Sequence, residues 1–285
     1  MAENVQLTSR QLHQSLQEAF PEVEVSIGTV KRAQRELGWV GKRTRYCALI
    51  SNNNKEKRVS WCRDQLEGGD FEFENVMWTD ECTVQLESHR RWTFHRVGEP
   101  AVNQLKMKPK HPPKIIVWAG ISARGATRIV RFSGIMNATR YTDILQAGLI
   151  PFINKVYADG HRFQQDNDPK HTSRYAQRFY ENKGLNWWKT PASSPDLNPI
   201  EDVWGAMKLY LRDQVKPKNL GELKAGIKEY WNTLTPPVCR KFIGHLRKVI
   251  PMVIEVNAAP LDIRTCCFNG FRVVPYFCNV SLNKF

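Results

Sequence analysis

Three acidic residues stand where carboxylates could do chemistry. Asp80 ends a run of strand-forming residues, and Asp166 directly follows a second such run at 162–165. Glu201 lies near the start of a helix that Pro199 opens, since proline suits the first turn of a helix. Carboxylates delivered from two strand ends and one helix start could hold a pair of divalent cations side by side. Such a pair is what an in-line displacement at a phosphate needs.

The sequence around these acids says more than the acids alone, because a lone aspartate at a strand end is usually a turn or cap residue. Asp166 lies in Gln-Asp-Asn-Asp-Pro-Lys-His and Glu201 in Ser-Pro-Asp-Leu-Asn-Pro-Ile-Glu-Asp-Val-Trp, with 34 residues between the two acids. Together with Thr-Asp-Glu at 79–81, these segments resemble the catalytic region of the mariner superfamily of DNA transposases, in the branch whose acidic triad is Asp, Asp, Glu. The resemblance runs from about residue 76 to about residue 256 and extends more weakly to the N-terminus.

The resemblance implies an enzyme, a cofactor and a set of partners. Asp80, Asp166 and Glu201 would be both the catalytic residues and the ligands of two Mg²⁺ or Mn²⁺ ions. The expected reaction is hydrolytic cleavage of DNA at the ends of a transposable element, followed by strand transfer into target DNA without a covalent protein intermediate. The expected partners are double-stranded DNA and a second copy of the chain, and the expected compartment is the nucleus.

Several neighbours of the three acids are candidates for supporting roles. Asn167, Asp168 and His171 are expected to shape the network around the ligands or to contact DNA. Glu81 is less suited as a ligand, because successive side chains of a strand point to opposite faces. Asp196, in the loop before Glu201, is the alternative third ligand, although a loop holds a metal less rigidly than a helix does.

Apolar periodicity predicts the elements that must position these residues. It indicates strands over 73–87, 91–95, 114–122, 128–132, 162–165 and 186–190, and helices over 139–157, 171–183, 199–214, 220–234 and 236–250. This order is that of a ribonuclease H-like α/β fold, a mixed sheet flanked by helices on both faces. We assign residues 70–257 to this catalytic domain and expect the tail over 258–285 to be poorly ordered and without a role.

Residues 1–41 have the pattern of a small all-α head. A helix over 8–20 and a second helix from Ser26 to Gly38 predict a helix-turn-helix, whose second helix would enter the major groove. Its candidate DNA contacts are Ser26, Thr29, Lys31, Arg32 and Arg35. A plain helical hairpin with a solvated basic face has the same pattern. The family resemblance implies two such subdomains, and the chain starts at what corresponds to the second, so we expect weakened recognition of element ends.

Basic residues cluster in three further places. The segment over 42–69 is predicted to be a linker and a helix that track DNA phosphates, through Lys42, Arg43 and Arg45 and through further lysines and arginines that include Arg58. Residues 103–128 hold six Lys or Arg and no acid, which indicates a clamp on DNA or on a second subunit, or a solvated loop. Residues 205–248 hold ten Lys or Arg against three acids, typical of a flank along DNA or of a solvated helical face.

Composition agrees with a DNA-directed protein. The chain has 285 residues, of which 41% are apolar, and a formal charge of +14, which favours a polyanionic partner. Its seven cysteines form no CxxC pair and no zinc spacing, so we predict reduced thiols in an intracellular protein. The sequence has neither a signal segment nor an apolar run of the roughly 18 to 20 residues that a membrane span needs.

Two other functions compete with an active transposase. A transposase-derived DNA-binding protein that has lost mobilising activity would keep the fold and the acidic triad. The missing first subdomain and the anomalous tail favour that alternative, whereas the intact triad favours the enzyme. A small-molecule metal phosphohydrolase on the same fold is disfavoured by the basic head and the basic loop.

Overall fold

The computed structural model describes residues 8–39, 49–68, 73–86, 110 and 112–257. They belong to two compact units, Met1–Cys47 and Ala48–Phe285. Four predicted features lie outside the described residues: the strand at 91–95, the basic residues Lys42, Arg43 and Arg45, most of the basic loop at 103–114, and the tail at 258–285. Among the described helices, none has the length and apolar character needed to cross a membrane.

The first unit contains the two predicted helices, α1 (Ser9–Ala19) and α2 (Ile27–Glu36). Ser26 caps α2, because its hydroxyl accepts a hydrogen bond of 3.1 Å from the backbone N–H of Thr29. Val30 is the buried residue of α2, and its burial fixes which face of the helix turns toward α1. The expected helical pair is therefore confirmed, with Ser26 engaged in capping.

The second unit is built on a mixed sheet. Its described strands are β1 (Val76–Gln85), β2 (Lys114–Ser122), β3 (Gly125–Ala126), β4 (Val130–Phe132), β5 (Arg162–Gln165) and β6 (Trp187–Lys189). The strand order is β3-β2-β1-β5-β6, and β4 also pairs with β2. β1 and β2 are antiparallel, whereas β1, β5 and β6 are parallel to one another. The predicted mixed sheet is confirmed.

Helices cover both faces of this sheet. They are α3 (Asn52–Gly68), α4 (Ala138–Val156), α5 (Pro169–Thr172), α6 (Arg174–Lys183), α7 (Pro199–Tyr210), α8 (Leu220–Asn232), α9 (Pro236–Gly244) and α10 (Leu246–Glu255). Trp78 packs into the larger core with α3 and α7–α10, whereas its neighbour Met77 packs into a second core with α4 and α6. Successive side chains of β1 thus pack into the two cores in turn, because they point to opposite faces of the sheet.

Three predicted helices are interrupted in the structure. The helix predicted over 171–183 is two helices, because Ser173 adopts an extended conformation and its hydroxyl caps α6 through the N–H of Ala176. The helix predicted over 199–214 ends at Tyr210 and continues as a π-turn over Leu211–Val215. The helix predicted over 236–250 is likewise divided into α9 and α10. Local capping and turn geometry, which periodicity does not encode, explain these differences.

A buried ion pair ties α3 to the loop that precedes α7. The guanidinium of Arg58 is fully buried and donates two hydrogen bonds, of 2.7 and 2.6 Å, to the two carboxylate oxygens of Asp196. It also donates to the carbonyl of Ser193 at 3.3 Å. Arg58 is therefore not a phosphate-tracking residue, which corrects the expectation for the segment over 42–69. Both carboxylate oxygens of Asp196 accept hydrogen bonds from Arg58, which makes Asp196 poorly suited as the alternative third ligand.

We expect Asp196→Asn to lower the free energy of unfolding by about 3–5 kcal/mol, because it leaves a buried guanidinium without its counter-charge. Guanidinium chloride unfolding, followed by circular dichroism, measures this loss. The double variant Arg58→Met/Asp196→Leu is the control, and we expect it to regain most of the stability, since no unpaired charge remains. A loss below about 1 kcal/mol in the single variant, the level of a surface pair, would show that the ion pair does not hold the loop.

Candidate active site

Strand pairing brings Asp80 and Asp166 to the same end of the sheet. In the parallel pair of β1 and β5, Trp78 stands opposite Gln164, and the same register continued by two residues sets Asp80 in line with Asp166. β5 ends at this point, because the carboxylate of Asp166 accepts a hydrogen bond of 3.2 Å from the N–H of Asp168 and turns the chain toward α5. Asp80 is half-buried in the middle of β1, whereas Asp166 is exposed.

Glu201 reaches the same place from α7. This helix is held on the sheet by Ile200, Val203 and Trp204, which are all buried in the larger core. Glu201 lies in the first turn beside that apolar stripe and is only half-buried. Its carboxyl group lies close enough to that of Asp80 for its charge to raise the pKa of Asp80. The three acids predicted from the sequence are therefore brought together, two through the sheet and one through a packed helix.

The proximity of these carboxyl groups changes their protonation. Burial raises the pKa of Asp80 well above its ordinary value, and the negative charges of Glu201, Glu81 and Asp166 raise it further. Burial also raises the pKa of Glu201, against the opposing effects of its hydrogen bond with Asp80 and the positive charge of Lys208. Bringing the ionised carboxylates together therefore costs electrostatic free energy, unless a cation is present to offset their repulsion.

A fourth carboxylate, that of Glu81, lies on the opposite face of β1 from Asp80. His171 is buried between Asp166 and Glu81: its Nδ1 lies 2.5 Å from Asp166 Oδ1, and its Nε2 lies 3.2 Å from Glu81 Oε1. Burial alone would lower the pKa of His171, but the hydrogen bonds and charges of these two carboxylates outweigh it and raise the pKa to about 9. The imidazole therefore acts as a cationic bridge that fixes one oxygen of Asp166.

Buried tyrosines hold this bridge in place. The ring of Tyr141 lies 4.0 Å from that of His171, and the hydroxyl of Tyr180 donates a hydrogen bond of 2.9 Å to the carbonyl of His171. Gln165, the last residue of β5, donates to Tyr180 at 2.7 Å and accepts a hydrogen bond from Tyr141. Since α4, α6 and β5 each contribute one of these groups, His171 is fixed by the core and not by its short helix alone.

The other neighbours shape the loop between β5 and α5. The side-chain amide of Asn167 donates to the carbonyl of Thr190 at 3.2 Å, which joins this loop to the end of β6. The carboxylate of Asp168 caps α5 through the N–H of Lys170 at 2.9 Å and also forms an ion pair with the Lys170 ammonium at 2.8 Å. His171 thus has the supporting place expected of it, and Asn167 and Asp168 act on the loop backbone.

Glu81 has a partner that strand alternation does not predict. Alternation separates it from Asp80, as expected, and on that opposite face Glu81 contacts His171, which in turn contacts Asp166. The sequence feature that could have indicated this contact is His171, five residues after Asp166, because the first turn of a helix brings its side chain back to the end of β5.

The predicted DNA contacts on α2 belong to the other compact unit and are exposed there, with Lys31, Arg32 and Arg35 on one side of the helix.

The donor set fits a hard divalent cation. In the described ranges, no group of three or more His, Cys, Asp or Glu side chains already converges on a common point. The chemistry of the set is nevertheless suited to Mg²⁺ or Mn²⁺, which prefer carboxylate oxygens. The charges of Glu201 and Asp166 both act on Asp80, so the mutual repulsion of the three carboxylates would be relieved by positive charge placed among them.

Comparisons with known proteins agree with this geometry. Residues 75–224, slightly more than half of the chain, match the family profile described as DDE superfamily endonuclease. The Tcb2 transposase of Caenorhabditis briggsae is 28% identical over 244 residues, which cover 84% of this chain and 89% of that protein. The Tc1 transposase of Caenorhabditis elegans is 27% identical over 233 residues, covering 80% and 85%.

Solved structures give the same result for the fold. The Mos1 mariner paired-end complex with Mn has a TM-score of 0.73 at 19% identity, over 90% of this chain and 80% of that chain. The Mos1 strand transfer complex has a TM-score of 0.74 at 19% identity, over 92% and 76%. The catalytic domain of Mos1 alone covers 76% of this chain with a TM-score of 0.58. The ribonuclease H-like fold predicted from the sequence is therefore confirmed. The chain belongs to the DDE superfamily of endonucleases, and the sequence relatives named above are transposases.

Proposed function

We propose that Asp80, Asp166 and Glu201 are the catalytic carboxylates of this transposase and that they hold two divalent cations, Mg²⁺ or Mn²⁺. The observation that carries the proposal is that the β1–β5 register and the packing of α7 bring these three residues together. Structures of the Mos1 paired-end complex with Mn and with Mg support divalent metal as the cofactor. The number of ions follows from the chemistry, since an in-line displacement has an attacking and a leaving oxygen to stabilise.

The protein side chains have distinct roles in this proposal. Bound cations would activate the attacking water or DNA 3′-hydroxyl and stabilise the leaving oxygen. Asp80 is fixed by the sheet and is within the electrostatic influence of both Glu201 and Asp166, so it is suited to be the shared ligand. Glu201 is held by the packed helix α7, and Asp166 is oriented by His171. Packed elements thus hold all three residues near one another, and movement of their side chains would complete a common cation site.

We further propose double-stranded DNA and a second copy of the chain as partners, in the nucleus. The exposed Lys31, Arg32 and Arg35 on α2 present positive charge on one helix, as a recognition helix does. The Mos1 paired-end complexes, in which transposase holds transposon ends, support DNA binding and pairing of subunits by this chain. An enzyme that acts on chromosomal DNA works in the nucleus of a eukaryotic cell.

We expect the full chain to nick supercoiled plasmid DNA in the presence of Mn²⁺ or Mg²⁺ and to lose this activity with EDTA. Asp166→Ala, Asp80→Asn and Glu201→Gln should each reduce nicking to background, because each removes a ligand oxygen from the shared site. Agarose gel conversion of supercoiled to open-circular plasmid measures the effect. Asp64→Ala, an exposed acid on α3, is the control and should nick like the wild type.

The same assay separates the enzyme from a transposase-derived DNA-binding protein. If the wild type and Asp166→Ala are equally inert while both bind DNA, the catalytic proposal fails for this chain. If Asp64→Ala loses as much activity as Asp166→Ala, the effect is one of general surface charge and not of a metal ligand.

For Glu81→Gln we expect about a 10-fold increase in the Mn²⁺ concentration that gives half-maximal nicking, the range found for groups that orient metal ligands. The reason is that His171 loses one of its two carboxylate partners, so Asp166 is no longer held in one orientation. Metal titrations of the nicking rate at saturating DNA measure the shift. Glu181→Gln on α6 is the matched control, and an equal shift in both variants would contradict a positioning role for Glu81.

For the head, we expect selection from a random DNA pool to yield a defined motif, because α2 carries basic side chains at the spacing of base and phosphate contacts. Arg35→Ala should then cost about 1–3 kcal/mol against the selected site and relax the preference at one position. Competition binding against scrambled duplexes measures this loss. Arg178→Ala, an exposed arginine of α6, is the control; a pool that stays random would show that the head does not read bases.

A further inference from the structure

A basic groove lies at the edge of the sheet, away from the three carboxylates. It is a cavity of about 630 Å³ between the start of β2, strand β4, the first turns of α4 and the start of α8. We call it the β4 groove. Each of these four elements contributes one basic side chain to its lining, namely Lys114, Arg131, Arg140 and Lys224. Among the described residues that line the groove, Asp143 is the single acid.

The charges of the β4 groove are available to a ligand. Lys114, Arg131 and Lys224 are exposed, and among the described residues none of the four basic groups forms an ion pair with a carboxylate. Arg140 donates one long hydrogen bond of 3.5 Å, to the carbonyl of Ile135. This distinguishes the groove from the sites of Arg58 and Arg124, whose guanidinium groups are each bidentate to an aspartate.

The shape of the groove fits a polymer backbone better than a small anion. Its four cations come from four separate elements and line an open trough, whereas a small phosphate site needs donors that converge on one point. Ile115 and Ile144 are buried beneath the basic rim and give the trough an apolar floor. Duplex DNA presents one negative charge per about 1.7 Å of helix axis, with apolar sugar edges between the phosphates.

The groove lies at a distance that one bound duplex can span. Lys114 is paired with Gln85, five residues along β1 from Asp80, which corresponds to about 17 Å at 3.4 Å per residue. DNA advances about 3.4 Å per base pair along each strand, so a phosphate roughly five base pairs from the cleaved one lies at a comparable distance. The separation is too large for the groove to be part of the carboxylate site itself.

We infer that the β4 groove is a second DNA-binding site, which holds backbone phosphates of a duplex whose scissile bond lies at the carboxylates. The inference rests on the proposed function in taking DNA as the polyanion. It does not depend on metal or on the catalytic roles of Asp80, Asp166 and Glu201. Since the contacts are to phosphates, they contribute affinity and register without reading sequence.

The test is the binding of the full chain to a labelled duplex of about 40 base pairs of random sequence, measured by fluorescence anisotropy in EDTA from about 50 to 200 mM salt. Arg131→Glu/Lys224→Glu should raise Kd at least about 10-fold and reduce the slope of log K against log salt by about two. Lys155→Glu/Lys183→Glu makes the same charge change at two exposed lysines outside the groove. We expect less than about a twofold effect from this pair.

Asp143→Asn provides a test of opposite sign, since it removes the single acid of the groove and should tighten binding severalfold. It also covers the case in which the double charge reversal fails to fold, which thermal unfolding would reveal. Equal Kd values for the two double variants, or unchanged binding by Asp143→Asn, would overturn the inference. Because binding is measured without metal, the groove variants can change DNA affinity even if the wild type does not nick plasmid DNA. Conversely, the wild type can nick plasmid DNA even if the groove variants bind DNA normally.

Discussion

The parallel pairing of β1 with β5 is the constraint on which the site depends. It sets Asp80 in line with Asp166 and, because β1 alternates, directs Asp80 toward α7 and Glu81 toward α5. A slip of one residue in β1 would exchange its two faces and move Trp78 out of its core. The register is therefore fixed by burial of large aromatic side chains, and the acids take their positions from that burial.

The cost of this arrangement is a concentration of negative charge at one sheet end. Burial and mutual repulsion raise the pKa of Asp80, so the site is not at its most stable with all carboxylates ionised. The protein offsets part of the cost itself through His171, a buried cation between Asp166 and Glu81. The remaining repulsion among the carboxylates can be offset by a cation from solution. Relief of that repulsion contributes to the affinity of such a site for a metal ion.

The sequence was sufficient for the acids and for most elements, but not for their partners across the fold. Asp166 and Glu201 lie at the strand end and the helix start that the local pattern predicts, whereas Asp80 lies in the middle of β1, which continues to Gln85 beyond the predicted strand end. The Arg58–Asp196 pair spans 138 residues of chain, and no local pattern distinguishes it from a solvated arginine and a loop aspartate. Glu81 shows the same limit: periodicity gives the face of a side chain, but not the imidazole that lies on that face. The break at Ser173 depends on a single hydroxyl cap.

The basic residues show why net charge alone cannot locate DNA. The sequence groups Arg58 with the linker and Arg124 with the basic loop, yet both are structural. Arg58 is buried against Asp196, and Arg124 stacks on Tyr157 and joins the end of α4 to Asp159. A guanidinium already bidentate to a carboxylate has little left to offer a phosphate. When such residues are set aside, the basic side chains that are available to bind DNA occupy fewer surfaces of the catalytic unit. Affinity for a polyanion is then set by which cations lack a carboxylate partner, and that is a property of the fold.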